Sequence, residues 1–174
     1  MIMRTNRIIS LNGEVNEGSS LMVILQLLDL DSQNNQEPIY LYINSGGGSI
    51  ISGLAIYDVI NHIKSPVYTV CCGMAASMGA FLLSCGEKGH RYALPHSRIL
   101  IHQPLVFGNY YNTARSQSKI AKLAEGLEQN RVTLETIMAE NAGKSFEEMH
   151  ASCERDNWMD AKEALEYGLI DCIL

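Results

Sequence analysis

Four stretches of this 174-residue chain hold residue types that can do chemistry together. Ser77 stands in Gly73-Met74-Ala75-Ala76-Ser77-Met78-Gly79-Ala80. Its small neighbours would let a substrate carbonyl approach both the hydroxyl and the Met78 N–H, and a helix starting there would favour developing negative charge at its N-terminus. A serine among Ala and Gly is also an ordinary helix cap or packing residue, and these residues do not form the G-x-S-x-G elbow. Gly46-Gly47-Gly48 lies between a strand-like run and a helical one, where backbone N–H groups can converge on an anion. Neither the Lys-Ser/Thr of a Walker loop nor G-x-G-x-x-G is present, which leaves a tight turn or an oxyanion-binding turn. His102 closes the apolar run Arg98–Ile101 and precedes Gln103-Pro104, so it is either a cleft residue or a satisfied structural histidine. Asp156, in Glu154-Arg155-Asp156-Asn157-Trp158, could orient a base or simply cap a helix or pair with arginine. The types permit a nucleophile, a base and an orienting carboxylate, but spacing alone does not bring them together.

The elements that must position these residues alternate along the chain. Ile8–Leu11 reads as a strand, and Ser19 or Ser20 as the cap of a helix over Leu21–Leu30 that is apolar on most faces and expected to be well buried. Ile39–Ile43 (IYLYI) is rich in β-branched and aromatic residues, as a buried strand should be. A helix over Ile50–Ile63, a strand at Val67–Cys72, a helix over Ala76–Cys85, and strands at Arg91–Ala93 and Arg98–His102 follow. This alternation predicts an α/β fold on largely parallel strands. A long amphipathic helix from about Thr113 to Asn141 carries Ile120, Leu123, Leu127, Leu134, Ile137 and Met138 at helical spacing, and Gly143 stops it. Its length points to self-association. Helices at Phe146–Cys153 and Asp160–Tyr167 and a strand at Asp171–Ile173 complete one domain.

Composition narrows the classes. The chain is 47% hydrophobic and 18% charged, with formal net charge −6. That is an ordinary globular composition, and without a basic block it argues against nucleic acid and anionic membranes as partners. No apolar run reaches the roughly 18 residues of a membrane span, and the N-terminus does not read as a signal peptide. Cys71, Cys72, Cys85, Cys153 and Cys172 form no C-x-x-C pair, so a reduced, cytoplasmic setting is expected. His90, His96 and His102 recur at an interval that suits no common zinc site, and no metal is expected.

Three segments, IYLYINSGGG at 39–48, GMAASMGAFLLSCGEKGHRYALPHSRILIHQP at 73–104 and ERDNWMDAKEALEYGLID at 154–171, resemble the proteolytic subunits of ATP-dependent Clp proteases. With the helix between, the likeness covers nearly the whole chain. The resemblance implies an α/β, ClpP/crotonase-type fold with a projecting long handle helix, in a single domain over residues 1–174 (head about 1–104 and 142–174, handle about 105–141). It implies a serine endopeptidase with Ser77 as nucleophile, His102 as base, Asp156 as the acid that orients the base, and the Gly48 and Met78 N–H groups as oxyanion donors. It further implies two stacked heptameric rings and an AAA+ unfoldase of the ClpX, ClpA or ClpC type that feeds in unfolded polypeptide. No cofactor is implied, since ATP is used by the unfoldase.

Three departures from the family pattern carry expectations of their own. Gly46 stands where the family has proline, so the oxyanion turn should be less constrained. The chain starts almost at its first strand, so the segment that lines the family's axial pore is expected to be short. Leu105-Val106-Phe107-Gly108-Asn109-Tyr110-Tyr111, at the start of the handle, is a few residues longer than the family pattern and has Val106 and Phe107 where the family has a pair of glycines after the leucine. These keep an alternative open: a catalytically weak or structural paralogue that assembles with an active partner subunit. An acyl-CoA hydratase or isomerase of the crotonase type is the third reading, disfavoured because that chemistry needs no serine nucleophile.

Overall fold

The computed structural model describes residues 7–104 and 117–174. In chain order the elements are β1 (Ile8–Val15), α1 (Glu17–Gln33), β2 (Ile39–Gly48), α2 (Ile50–His62), β3 (Val67–Ala76), α3 (Met78–Ser84), β4 (Arg91–Ala93), β5 (Arg98–Ile101), α4 (Gln117–Ala142), α5 (Phe146–Cys153), β6 (Asn157–Asp160), α6 (Ala161–Tyr167) and β7 (Cys172–Ile173). They form the expected α/β architecture around a parallel-dominated sheet. Strands run β1-β2-β3-β4-β7, and β5 pairs with β3 and β6. Among the described residues every strand pair is parallel except β5–β6.

The branch in the sheet comes from the length of β3. Its first half pairs with β4 (Thr69↔Arg91 to Cys71↔Ala93) and its last residues with β5 (Met74↔Arg98 to Ala76↔Leu100). Between the halves lies Gly73 at φ +88, where a Cβ would come 2.9 Å from Asn44 Oδ1. Only glycine takes that backbone and that approach without strain. β3 therefore continues to Ala76 rather than ending at Cys72 as the apolar run suggests.

The same extension occurs in β2. Gly46–Gly48 is the end of the strand, with Gly47 and Gly48 paired to Glu14 and Val15 beyond a register shift, and not a separate turn. β1 correspondingly runs past Leu11 to Val15. α3 lies buried in full, with Phe81, Leu82 and Leu83 in the main core beside Leu41, Ile43 and Ile99.

α1 begins four residues before the expected Leu21. Its cap is Asn16: Asn16 Oδ1 accepts from the Ser19 N–H at 3.0 Å and Ser19 Oγ accepts from the Asn16 N–H at 2.9 Å, a reciprocal capping box. The expectation that α1 is well buried fails on one side. Val23, Leu27 and Leu30 are in the core, but Leu21, Met22, Leu25 and Leu28 are exposed, and on α2 Ile51 is 80% exposed. α1 and α2 pack against each other. Gly143, at φ +68, ends α4 as expected, with Lys144 N–H donating to Ala139 O at 2.9 Å.

Two buried arginines pin the ends of the sheet. Arg7 donates to the carbonyls of Leu30, Asn34, Glu37 and Pro38 and to Ser65 Oγ, tying the end of α1 to the start of β2. Arg91 forms a two-pronged pair with Asp171 (2.8 and 2.5 Å) and donates to Asn141 O at 2.8 Å, joining β4, the C-terminal strand region and the end of α4. No helix among the described residues is long and apolar enough to cross a membrane. The departure at residues 105–111 lies outside the described residues.

Candidate active site

The ladder registers bring the three chemical side chains to one place. The parallel pairing Ala76↔Leu100 sets Ser77 beside the end of β5, and the Ser77 N–H donates to Leu100 O at 2.9 Å. The antiparallel pairing Ile101↔Asn157 sets the residue after β5, His102, across from the residue before β6, Asp156. His102 Nδ1 lies 3.7 Å from Asp156 Oδ1. That is close enough for charge attraction and beyond hydrogen-bond range. The histidine side chain is 10% exposed and the aspartate 67% exposed, so the ring is held by protein while the carboxylate faces outward.

Ser77 joins β3 to α3 in an unusual backbone conformation, φ 54 and ψ −121, and is the non-glycine residue with positive φ among those described. Such a conformation is sparsely populated for an L-residue and is held by surrounding contacts. The hydroxyl makes no capping bond to α3, unlike the serines at the starts of α2 and α5. The Met78 N–H is the first of α3, and the first N–H groups of a helix have no partner within it.

Gly47 and Gly48 make room for this turn. A Cβ on Gly47 (φ +95) would come 2.7 Å from Ser77 Cβ and 2.8 Å from Ala76 O; one on Gly48 (φ +146) would come 2.3 Å from Val15 O. Gly46 differs. Its φ is not in the left-handed region, and a Cβ would meet nothing nearer than Met74 Cε at 3.7 Å. The glycine that departs from the family pattern is thus the one whose backbone does not require glycine.

Ser77, Met78, His102, Asp156 and Gly46–Gly48 all line one cavity of about 1110 Å³. Every residue singled out from sequence as catalytic or oxyanion-binding is therefore at the same surface. Sequence reasoning missed the opposite wall, which α4 and α5 supply through Leu127, Asn130, Leu134, Glu135, Met138 and Cys153. Leu127, Leu134 and Met138 were visible as part of an amphipathic stripe, which marks a face to be covered without saying by what. Nothing in the sequence marks Glu135 as part of that wall.

Cys153 is buried in this wall, and burial pushes its thiol up to about 12. Burial likewise pushes the Cys71 thiol up to about 11 and that of Cys85 to about 12. Such thiols stay protonated at neutral pH and are poor nucleophiles. Among the described residues no group of three or more His, Cys, Asp and Glu is placed to hold a metal ion.

The Clp protease family model matches residues 1–174. The chain is 50% identical over 169 residues to the ATP-dependent Clp protease proteolytic subunit of Lactococcus lactis subsp. lactis (strain IL1403), covering 97% of this chain and 83% of that one. It is 48% identical over 169 residues to the subunit of the same name from Streptococcus uberis (strain ATCC BAA-854 / 0140J) and 50% identical to that from Streptococcus pneumoniae (strain Hungary19A-6), in each case over 97% of this chain and 85% of the relative. With a family match over residues 1–174 and about half of the aligned residues identical, this chain belongs to the Clp protease family of serine-type peptidases.

Proposed function

We propose that the chain is the proteolytic subunit of an ATP-dependent Clp-type protease and cleaves unfolded polypeptides through Ser77, His102 and Asp156. The observation that carries this reading is that one cavity is lined by all three side chains, with Ser77 on a strained turn whose hydroxyl is not used as a cap. Ser77 Oγ attacks the peptide carbonyl while His102 takes its proton. Asp156 holds the imidazole in the right tautomer and stabilises the imidazolium. The Gly48 and Met78 N–H groups receive the oxyanion, each donor being worth roughly 10²–10³ in rate in comparable sites. His102 then protonates the leaving amine, and water releases the acyl group by the same route in reverse. None of these steps needs a metal or an organic cofactor.

Assembly into two stacked heptameric rings fits the exposed apolar side chains of α1 and α2, Leu21, Met22, Leu25, Leu28 and Ile51. Exposed apolar side chains on neighbouring helices are what a second copy would cover. The handle, about residues 105–141, would join the rings, and an AAA+ unfoldase would deliver substrate in the cytoplasm.

The 3.7 Å between His102 and Asp156 favours a second reading, a subunit weak on its own that gains activity with a partner subunit. Hydrolysis of a fluorogenic peptide by the purified chain, beside Ser77→Ala and with the oligomeric state measured, separates the two. Turnover by the wild-type oligomer that Ser77→Ala lacks supports the first. A folded oligomer that turns over only when a second subunit is added supports the other.

A further inference from the structure

Ser45 is 1% exposed and, unlike the three glycines that follow it, is not among the described residues that line the cavity. Its Oγ accepts a hydrogen bond from the Gly47 N–H at 3.1 Å, in a buried setting. On the other side of Gly48, the Ser49 N–H donates to Val15 O at 2.7 Å. The backbone donors that flank the Gly48 N–H are therefore both held by the fold.

The stretch between them has no side chain to hold it. Gly47 and Gly48 sit at φ +95 and φ +146, and peptide planes between glycines turn easily. A buried N–H that loses its acceptor is costly, and a glycine peptide can turn to find another. Ser45 also touches the element that carries the second oxyanion donor. It pairs with Ala75 of β3, and a Cβ on Gly79 would come 2.9 Å from Ser45 O and 3.3 Å from Ser45 Cβ. Gly79 directly follows Met78 in the first turn of α3. One buried serine thus braces both backbone segments whose N–H groups, those of Gly48 and Met78, face the reacting carbonyl in the proposed mechanism.

We propose that Ser45 is a positioning residue of the oxyanion site: its hydroxyl fixes the Gly47 amide and, through it, the direction of the Gly48 N–H toward the carbonyl that Ser77 attacks. This rests on the serine-peptidase reading above. The effect belongs to the transition state, because the donors must meet the oxygen where it stands as an oxyanion rather than as the ground-state carbonyl. Loss of the hydroxyl therefore lowers kcat and leaves KM nearly unchanged. A peptide boronate, whose tetrahedral adduct on Ser77 presents an oxygen to the same donors, loses affinity in step.

Ser45→Ala and Ser45→Cys test this against wild type, with melting temperature and oligomeric state measured on the same samples. The thiol keeps the site filled but is a much weaker acceptor, so it separates the hydrogen bond from packing. In both variants kcat per Ser77 labelled at end point by a fluorophosphonate should fall about tenfold to a hundredfold. KM should stay within about twofold, and boronate affinity should fall by a factor close to that in kcat. The pH dependence set by His102 should keep its midpoint, since Ser45 does not act on the base. A folded, oligomeric Ser45→Ala whose kcat per labelled site and boronate affinity match wild type overturns the proposal and leaves the peptidase reading standing. A loss that appears in KM alone, or that moves the pH midpoint, overturns it too, since these mark a disturbed substrate groove or a disturbed base. If Ser45→Ala does not fold, wild-type kcat per labelled site in Ser45→Cys overturns it. Wild type that takes no label overturns the peptidase reading and this proposal together.

Discussion

Ile101 of β5 pairs with Asn157 of β6, and this rung of the molecule's antiparallel ladder places His102 opposite Asp156. Neither residue is in a strand; each is the first residue past the end of one. The closeness of His102 and Asp156 is thus a consequence of strand register rather than of any local motif around the histidine or the aspartate. Asp156 is 67% exposed in its side chain and does no packing work that the fold depends on. Asp156→Asn should therefore leave thermal stability nearly unchanged while kcat falls about 10²–10⁴-fold, because the imidazole loses its orienting charge. Peptide turnover and a melting curve on the same sample check both halves.

Ser77 holds a conformation that glycine adopts freely. Ser77→Gly should raise stability by about 1 kcal/mol by releasing that strain, while abolishing hydrolysis; Ser77→Ala should abolish hydrolysis without the gain. Urea midpoints of the two variants, compared with wild type, read this directly. Equal midpoints for the Gly and Ala variants would show that the turn is not strained.

The glycine triplet should divide in mutagenesis. Gly47→Ala and Gly48→Ala drive a methyl into Ser77 Cβ or the Val15 carbonyl and should destabilise by about 2 kcal/mol or more, with loss of activity. Gly46→Ala makes only an ordinary van der Waals contact, with Met74 Cε at 3.7 Å, at an ordinary φ and should be stabilising by about 0.5 kcal/mol through the unfolded chain, with activity retained.

The order of elements was legible in the sequence because the apolar runs at Ile39–Ile43, Val67–Cys72 and Arg98–Ile101 are dense and the helical stripes between them regular. Strand ends were not. β2 and β3 continue through glycines that end most strands, because Gly47, Gly48 and Gly73 here accommodate close backbone approach inside the sheet. β6 was missed because Asn157–Asp160 has no strand-like alternation; it exists because β5 offers it an edge. The Asn16 cap was passed over for Ser19, which is its reciprocal partner at N3. Ser77, His102 and Asp156 were legible through family resemblance, whereas Glu135 was not, since nothing in a helical stripe says which members face a cavity.

Arg91 and Asp171 predict a pH dependence. Burial raises the Asp171 carboxyl, but the hydrogen bonds from Arg91 and the Gly89 N–H outweigh it and leave it below the usual carboxylate range. A folded value below the unfolded one, near 3.9, means stability that is fully present above that pH and is lost as pH falls through the folded value. Asp171→Asn should remove that part of the acid sensitivity, and Arg91→Ala should destabilise by about 3 kcal/mol by leaving the carboxylate without its countercharge, held only by the backbone N–H groups of residues 89 and 91. Denaturation between pH 3 and pH 7 measures both.

The central claim is that Ser77 is a nucleophile activated by His102, and intact mass after treatment with a fluorophosphonate tests it most directly. The account predicts a single adduct on folded, oligomeric wild type, none on Ser77→Ala, and slow labelling of His102→Ala. Folded, oligomeric wild type that takes no adduct, or a Ser77→Ala variant that labels as fast as wild type, would contradict it.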